Sequence, residues 1–380
     1  MRRHTHVFGA VCATAALTLS ACGTGDDADT AAPPSYSDTR NTLQRLTTAD
    51  GAPGALLEVR DAHGRTVLTS GVADIGTRAP MAGDSRFRIG SMTKTFVATV
   101  VLQLVSEQRV ALDAPIAQYL PGMIQGNGHD GHAITVRQLL QHTSGLPDYL
   151  NYLPLEQVMK DTLTQYDPLE LVQLALAQPP LFAPGTGWEY SNTDYLLAGM
   201  LIEKATGRPY AEAVEQRIIA PLGLRDTFVP GNEPSIPGVH AQGYGKLGDS
   251  APLDVSEVNP SIAGAAGAMI STAADLNEFF LALVSGRLLS PPEREAMMMT
   301  RPLGNSYQDA YGLGLQSTPL PCGGLYWGHD GGILGFQTMG ATTTDGRSAT
   351  VMANLYPGES DAQDADIRTA LTTALCASAT

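Results

Sequence analysis

The sequence predicts an α+β protein in which an antiparallel sheet is built from both ends of the chain, is flanked by helices, and receives an inserted, mostly helical region. Near the start, two apolar runs of strand length, residues 54–60 and 66–72, are separated by a polar stretch that contains Gly64. Between the two ends of the chain, apolar residues recur with helical spacing. Near the end, further strand-like apolar runs occupy residues 311–315, 336–341 and 348–353. Strands and helices that are segregated along a chain are typical of α+β folds.

Each element follows from its local sequence. Residues 61–65 are polar and predict the turn of a first hairpin, and residues 87–90 predict a short strand or turn. Asp345-Gly346 predicts a tight turn between the last two strands. Helices are predicted at residues 136–141, 169–177, 193–205, 211–219, 274–284 and 364–375. The sheet region therefore covers about residues 41–110 and 305–380, and the helical region covers about residues 111–304.

Length and charge limit the classes of function. The chain has 380 residues, enough to bury a large core, with 23 basic and 38 acidic residues and a formal net charge of −15. No basic run is present, so we expect no nucleic-acid partner. No cluster of Cys and His has the spacing of metal ligands, and we expect no metal and no cofactor. The sequence does not define the oligomeric state, and we expect a monomer.

The N-terminus has the pattern of an export signal. Arg2 and Arg3 precede an apolar stretch, residues 7–19, that is too short for an ordinary membrane-spanning helix. Leu19-Ser20-Ala21-Cys22 then resembles a bacterial lipobox. We expect residues 1–21 to be a signal peptide, Cys22 to be lipidated, and residues 22–40 to form a disordered tether, which predicts a membrane-anchored protein outside the cytoplasm. The alternative is a simple secretory signal with an incidental Cys.

Two cysteines remain for the folded domain. Cys12 lies in the predicted signal and Cys22 is the predicted lipid site, which leaves Cys322 and Cys376. In an oxidising compartment an even pair usually closes, so we expect a disulfide between them. Two buried free thiols are the alternative.

Ser91-Met92-Thr93-Lys94 places a hydroxyl and an amine on one face of a helix. Apolar residues from 95 to 105 continue with helical spacing, so Ser91 should open the helix, where free N–H groups favour a developing negative charge. A Ser hydroxyl is a weak nucleophile, and a Lys that burial keeps neutral can take its proton. Alone the pattern is weak, because Ser also caps helices.

Two further motifs strengthen the interpretation. Tyr190-Ser191-Asn192 follows a loop signal and precedes an apolar helix. His329-Asp330-Gly331-Gly332 lies near the C-terminus in a strand region. Each has a simpler interpretation, Asn192 as a loop residue with local turn bonds and His329 as a structural histidine at a strand end.

The three motifs occur in an order and spacing that resemble the serine hydrolase family of class C β-lactamases, DD-carboxypeptidases and related esterases. The resemblance covers residues 42–376 and includes residues 141–146 and 190–195. It is most similar to the secreted low-molecular-mass DD-carboxypeptidases. It implies a β-lactamase/transpeptidase-like fold with the site in the cleft between the sheet and the helical region.

The resemblance also implies a role for each motif residue. Ser91 is the nucleophile of an acyl-enzyme, and Lys94 is its base or shares that task with a Tyr190 phenolate stabilised by Lys94. Asn192 orients Lys94 and binds a substrate carbonyl. The backbone N–H groups of Ser91 and Gly332 form the oxyanion hole.

On the opposite wall, His329 takes a place that Lys occupies in some relatives, where it binds a substrate carboxylate. Gly331 and Gly332 let the strand backbone approach the ligand closely. His142, by contrast, is interpreted as a helix cap or core histidine.

Two departures weaken the carboxypeptidase assignment. Asp330 stands where those enzymes carry a small hydroxyl residue, and residues 316–318 offer no Arg for a substrate carboxylate. A carboxylate at 330 repels a substrate carboxylate unless it turns away or pairs with His329, which would raise the pKa of His329. We expect DD-carboxypeptidase-like cleavage of D-alanyl cell-wall peptides, with β-lactams as acylating agents. The alternatives are an esterase, a β-lactamase, or a non-catalytic penicillin-binding lipoprotein.

Overall fold

A computed structural model describes residues 35–248, 250–358 and 361–377 of the chain. The strands in this part are β1 Gly54–Asp61, β2 Gly64–Gly71, β3 Phe87–Arg88, β4 Gln125–Gly126, β5 His129–Asp130, β6 Tyr244–Gly245, β7 Leu253–Asp254, β8 Ile270–Ser271, β9 Arg301–Pro302, β10 Ala310–Tyr311, β11 Gln316–Pro319, β12 Leu325–Ile333, β13 Phe336–Thr343 and β14 Ser348–Ala353. Eight of these strands form one antiparallel sheet in the order β2-β1-β14-β13-β12-β11-β10-β9. The other six form three pairs of short strands outside it.

Helices cover both faces of the sheet and fill the inserted region. The helices are α1 Ser37–Thr48, α2 Thr93–Ser106, α3 Val136–Leu140, α4 Leu155–Lys160, α5 Pro168–Leu176, α6 Asn192–Thr206, α7 Tyr210–Val214, α8 Ala220–Leu222, α9 Ala273–Val284, α10 Pro291–Met298 and α11 Asp361–Cys376. α1 and α11 pack together and against β1, β13 and β14, and α9 packs on the same strands from the other side. None of the helices in the described part is long and apolar enough to cross a bilayer.

Alternation along the central strands divides the core between the two faces of the sheet. Leu57 on β1 and Val351 on β14 point into a cluster with α1 and α11. Their neighbours Leu56 and Met352 point into a larger cluster that contains the α2 residue Phe96 and extends through the helical region. This period of two explains why both strands carry apolar residues at successive positions, because both faces of the sheet are covered.

The predicted fold class is confirmed, since the sheet joins the hairpin β1–β2 to the C-terminal strands through the β1–β14 pair. α1 begins at Ser37, before the boundary predicted at residue 41, so the last residues assigned to the tether are helical. The predicted signal peptide and Cys22 lie outside the described residues.

One predicted strand is wrong. Of residues 311–315, only Tyr311 belongs to a strand, as the last residue of β10. Residues 312–315 form the turn between β10 and β11, in which the Gly312 N–H donates to the Leu315 carbonyl at 2.8 Å. Gly314 has a φ of 71°, a conformation that favours glycine, so these glycines build a turn. The helix predicted at 211–219 is α7 followed by a π-helical turn, Glu215–Ile219.

The predicted disulfide is present between Cys322, in the turn between β11 and β12, and Cys376, the last residue of α11. It closes a segment with a sequence separation of 54. In the chain-entropy treatment, closing such a segment stabilises the fold by about 4 kcal/mol.

We therefore expect the double variant Cys322→Ser/Cys376→Ser to lose about 3–4 kcal/mol of unfolding free energy, because its unfolded chain regains the closed-loop entropy. Urea denaturation of the oxidised protein and the variant, in parallel, measures the difference. A loss below about 1 kcal/mol would contradict the assignment of a stabilising role to the bridge.

Candidate active site

Ser91 lies in a 3₁₀ turn, Gly90–Met92, that leads directly into α2. Gly90 has a φ of 52°, and a Cβ built on it would lie 2.9 Å from the backbone N of Gly332. Only glycine allows this close approach of the turn to β12, which brings the nucleophile beside the third motif. The prediction that Ser91 opens the helix is confirmed, with the 3₁₀ turn as its first part.

The Lys94 amine is completely buried beneath Ser91. Its Nζ lies 3.1 Å from Ser91 Oγ, 2.7 Å from Asn192 Oδ1 and 2.7 Å from the carbonyl oxygen of Ala266. Burial lowers the pKa of Lys94 to about 7, although the charges of Asp148, Asp330 and Asp194 oppose this shift. The predicted Ser–Lys pair is therefore formed, with an amine that is partly neutral near pH 7.

Asn192 is the first residue of α6 and joins an amine to a carboxylate. Its Oδ1 accepts from Lys94, and its Nδ2 donates to Asp148 Oδ2 at 2.7 Å. The prediction that Asn192 orients Lys94 agrees with this contact. Sequence reasoning missed Asp148 and the Ala266 carbonyl, and the one local signal was Pro147-Asp148, typical of a turn.

The Tyr190 ring lies against the Lys94 amine, with Nζ 4.7 Å from the ring centroid. Its hydroxyl is buried and makes no well-formed hydrogen bond within the described structure. The nearby Ser91 hydroxyl favours ionisation, but burial dominates and raises the pKa of Tyr190 well above its usual value. The predicted phenolate is therefore wrong for the free protein, because burial outweighs any stabilisation of a phenolate by Lys94.

His142 is a core histidine, as predicted. It is fully buried, its Nδ1 lies 3.1 Å from Asp194 Oδ2, and its ring is 4.3 Å from that of Tyr190. Burial lowers the pKa of His142 well below its usual value, so it supports the Tyr190 ring as a neutral group.

His329 lies on β12 with its side chain fully buried. Its Nδ1 is 2.6 Å from the backbone oxygen of Asp330, and its Nε2 is 3.0 Å from the Tyr311 hydroxyl. Nδ1–H therefore donates to the carbonyl oxygen and Nε2 accepts from the hydroxyl. Both ring nitrogens are used within the protein, an arrangement that does not leave His329 free to bind a substrate carboxylate.

Asp330 acts on the pKa of His329 in the expected direction, but it does not determine the net shift. Burial lowers the pKa of His329, and this effect exceeds the opposing effect of the Asp330 carboxylate, which lies 3.5 Å from Nδ1. Asp330 Oδ1 instead accepts from Gln316 Nε2 at 2.8 Å, and half of its side chain stays exposed.

Gly331 and Gly332 bring β12 close to the nucleophile, as predicted. A Cβ at Gly331 would lie 2.2 Å from the carbonyl oxygen of Ile89, and one at Gly332 would lie 2.7 Å from the Tyr356 ring. Ser91 and Gly332 face the same cavity. Their backbone N–H groups as an oxyanion hole stay a prediction that this placement allows.

Two cavities meet at Gly332 and Tyr356. The first, of about 400 Å³, contains Ser91 and Asn192 and is otherwise mainly apolar, with Leu153, Val158, Val258, Ile262, Leu334 and further residues in its wall. The second, of about 450 Å³, is lined by Asp330, Asp361, Asp364 and Arg368 together with Gln337 and Thr338. We call them the nucleophile cavity and the acidic groove.

The described residues contain no cluster of His, Cys, Asp and Glu that could hold a metal ion.

Comparison with known proteins places this geometry in a family. The β-lactamase family profile matches residues 39–374. The chain is 27% identical over 312 residues to penicillin-binding protein 4* of Bacillus subtilis, covering 79% of this chain and 67% of that protein. It is 40% identical over 184 residues to esterase EstB of Burkholderia gladioli, a match that spans 45% of this chain and 46% of the esterase.

Among solved structures, a D-stereospecific amidohydrolase from Streptomyces sp. superimposes with a TM-score of 0.82 at 42% sequence identity, covering 89% of this chain and 98% of that chain. The family match and this similarity both extend over nearly all of the described domain. The chain therefore belongs to the β-lactamase family, within the superfamily of serine hydrolases that includes the penicillin-binding proteins.

Proposed function

We propose that this protein hydrolyses amide or ester bonds of D-amino-acyl substrates through an acyl-enzyme on Ser91, and that it prefers leaving groups without a free carboxylate. The observation that carries the proposal is the set of three contacts around the Lys94 amine. The proposal selects among the activities present in the superfamily.

The contacts of Lys94 match a neutral amine acting as a base. A neutral amine has two N–H groups and one lone pair. Asn192 Oδ1 and the Ala266 carbonyl oxygen, each at 2.7 Å, accept the two N–H groups, which leaves the lone pair facing Ser91 Oγ at 3.1 Å. With a pKa of about 7, the neutral form is well populated at neutral pH. We therefore assign the acylation base to Lys94.

In the proposed reaction, the Ser91 Oγ–H proton passes to Lys94 Nζ while Oγ bonds to the substrate carbonyl carbon. The N–H groups of Ser91 and Gly332 stabilise the resulting oxyanion. Tyr190, protonated in the free protein, donates its proton to the leaving atom as that bond breaks, and Lys94 returns its proton to Tyr190. Water then attacks the ester carbonyl while Lys94 takes a proton from it, and Lys94 returns this proton to Ser91 Oγ as the ester bond breaks, which releases the acid and restores Ser91.

The walls of the site support the choice of substrate. The apolar lining of the nucleophile cavity suits a hydrophobic acyl side chain. In the acidic groove, Asp330, Asp361 and Asp364 disfavour a substrate carboxylate, and His329 is engaged elsewhere. The similarity to the D-stereospecific amidohydrolase supports D-configured substrates.

DD-carboxypeptidase activity is the second candidate, and one observation favours it. The Arg368 guanidinium lines the acidic groove and could meet a C-terminal carboxylate. It is, however, bound to Asp309 at 3.2 Å and to the Tyr326 hydroxyl at 2.8 Å. Its charge is therefore already compensated within the protein, which favours the neutral-leaving-group proposal.

The two candidate functions differ in how a free carboxylate on the leaving group of the substrate affects the rate of cleavage. We expect kcat/KM for an N-acyl-D-alanyl-D-alanine amide to exceed that for the matching free acid by about tenfold or more, because the carboxylate meets the acidic groove. Steady-state kinetics with both substrates measures the ratio. The L,L-configured amide is the control and should be a poor substrate.

Equal or faster cleavage of the free acid would overturn the proposed preference and establish the carboxypeptidase candidate. Cleavage of neither D-alanyl compound, together with turnover of simple esters, would assign the protein to the esterases.

A further inference from the structure

Asp148 precedes the 3₁₀ turn Tyr149–Tyr152 and uses both carboxylate oxygens. Oδ1 accepts from the Leu150 N–H at 3.0 Å, which caps the turn. Oδ2 accepts from Asn192 Nδ2 at 2.7 Å, so the same carboxylate also reaches the active site. The cap holds the carboxylate in place, because a side chain fixed at one oxygen presents the other in a defined direction.

This contact determines which way the Asn192 amide faces. A carboxylate only accepts hydrogen bonds, so the NH₂ group of the amide must face Asp148. The amide oxygen then faces Lys94 Nζ at 2.7 Å. A flipped amide would direct its N–H groups toward those of Lys94 and its oxygen toward the carboxylate, two repulsive contacts. Asp148 therefore selects the orientation that directs the Lys94 lone pair toward Ser91.

We propose that Asp148 is a positioning residue of the reaction, which fixes the Asn192 amide and, as a counter-charge, adjusts the protonation of Lys94. This inference rests on the proposed function, in which Lys94 acts as the base. Asp148 acts through Asn192 and need not touch the substrate.

The carboxylates around Lys94 affect its pKa, so a change of one of them should alter the pH dependence of the reaction. Asp148 is the strongest of the groups that raise the pKa of Lys94 against its burial, followed by Asp330 and Asp194. The other titratable groups that face the amine are Tyr195, His142 and His329, which are buried, and Tyr190, whose hydroxyl is buried. Asp330 is bound to Gln316, and Asp194 is bound to Ser144 and His142, so each has its own partner.

Two substitutions of Asp148 distinguish the effect of its negative charge from the effect of its hydrogen bonds. Asp148→Asn keeps an oxygen that can accept from Asn192 but removes the charge. We expect the acidic limb of its kcat/KM profile to move to lower pH by about half a unit or more, with plateau kcat within about threefold of the wild type. Asp148→Ala removes both functions, and we expect the same shift together with about a tenfold or greater loss of plateau kcat.

Asp167→Asn is the matched control. Asp167 caps α5 through the Leu169 N–H at 2.8 Å, in the same way that Asp148 caps its turn, and it does not contact the Ser91 site. Its profile and plateau should equal those of the wild type. Thermal unfolding of all three variants shows whether a loss of activity results from the loss of a stabilising cap. If Asp148→Ala does not fold, the pH profile of Asp148→Asn alone tests the inference.

The inference would be overturned if the acidic limb of the kcat/KM profile of Asp148→Asn stayed at the wild-type pH and the plateau kcat of Asp148→Ala were unaltered. Asp148 would then be only a turn cap. The proposed function would stand in that case. A wild type without an acidic limb near pH 7 would instead count against Lys94 as the base, and with it against both proposals.

Discussion

Ser91→Ala is expected to lose at least about 10⁴-fold in kcat/KM on every substrate that the wild type accepts. The reason is that the variant retains the cavity and the oxyanion donors but has no oxygen with which to form the acyl-enzyme. Initial-rate measurements on an amide and on an ester check this. The fold should persist, because the Ser91 side chain hydrogen-bonds to Lys94 and ends in the nucleophile cavity, without filling the core.

Ser106→Ala is the matched control, since Ser106 is the last residue of the same helix and is exposed. It should retain wild-type rates. A Ser91→Ala protein with more than about a hundredth of the wild-type rate would mean that another residue attacks the substrate.

Lys94→Met is expected to lose about 10²–10⁴-fold in kcat/KM, because the proton of Ser91 then has no acceptor. In the wild type the amine must be neutral to act, so activity should rise with pH through the pKa of about 7 and reach a plateau above it. The same dependence should be missing from the residual activity of the variant. pH–rate profiles of both proteins measure this difference.

The control is Lys204→Met, at an exposed lysine near the end of α6. It should leave the profile unaltered. A wild-type rate that falls as pH rises from about 6 to 8 would be incompatible with Lys94 as a base.

The local sequence pattern was sufficient to predict the central strands of the sheet, which are covered by helices on both faces. β14 was predicted from its apolar run and the adjoining Asp345-Gly346 turn, and it occupies Ser348–Ala353. The prediction at residues 311–315 failed because the run is equally apolar but its glycines form a turn. Apolar composition alone does not distinguish a buried turn from a buried strand.

The sequence predicted those contacts of the site that join residues close to each other along the chain. Ser91 and Lys94 meet because they are three residues apart on one helical turn. Asp148 was missed because its contact with Asn192 spans 44 residues and depends on how two loops pack. The charge state of Tyr190 was misjudged because burial, which residue type does not reveal, dominates the pKa of its hydroxyl. At His329, burial likewise exceeds the effect of Asp330 on the pKa.

The proposed reaction requires an acyl-enzyme at Ser91 that forms with Lys94 as the base. The most direct measurement is intact-mass spectrometry after rapid acid quench of the protein with benzylpenicillin and, separately, with an activated ester, followed by peptide mapping. We predict an adduct with at least one of these reagents, located on the peptide that contains Ser91, lacking in Ser91→Ala and forming much more slowly in Lys94→Met. An adduct on another peptide, or one of equal yield in Ser91→Ala, would contradict the account.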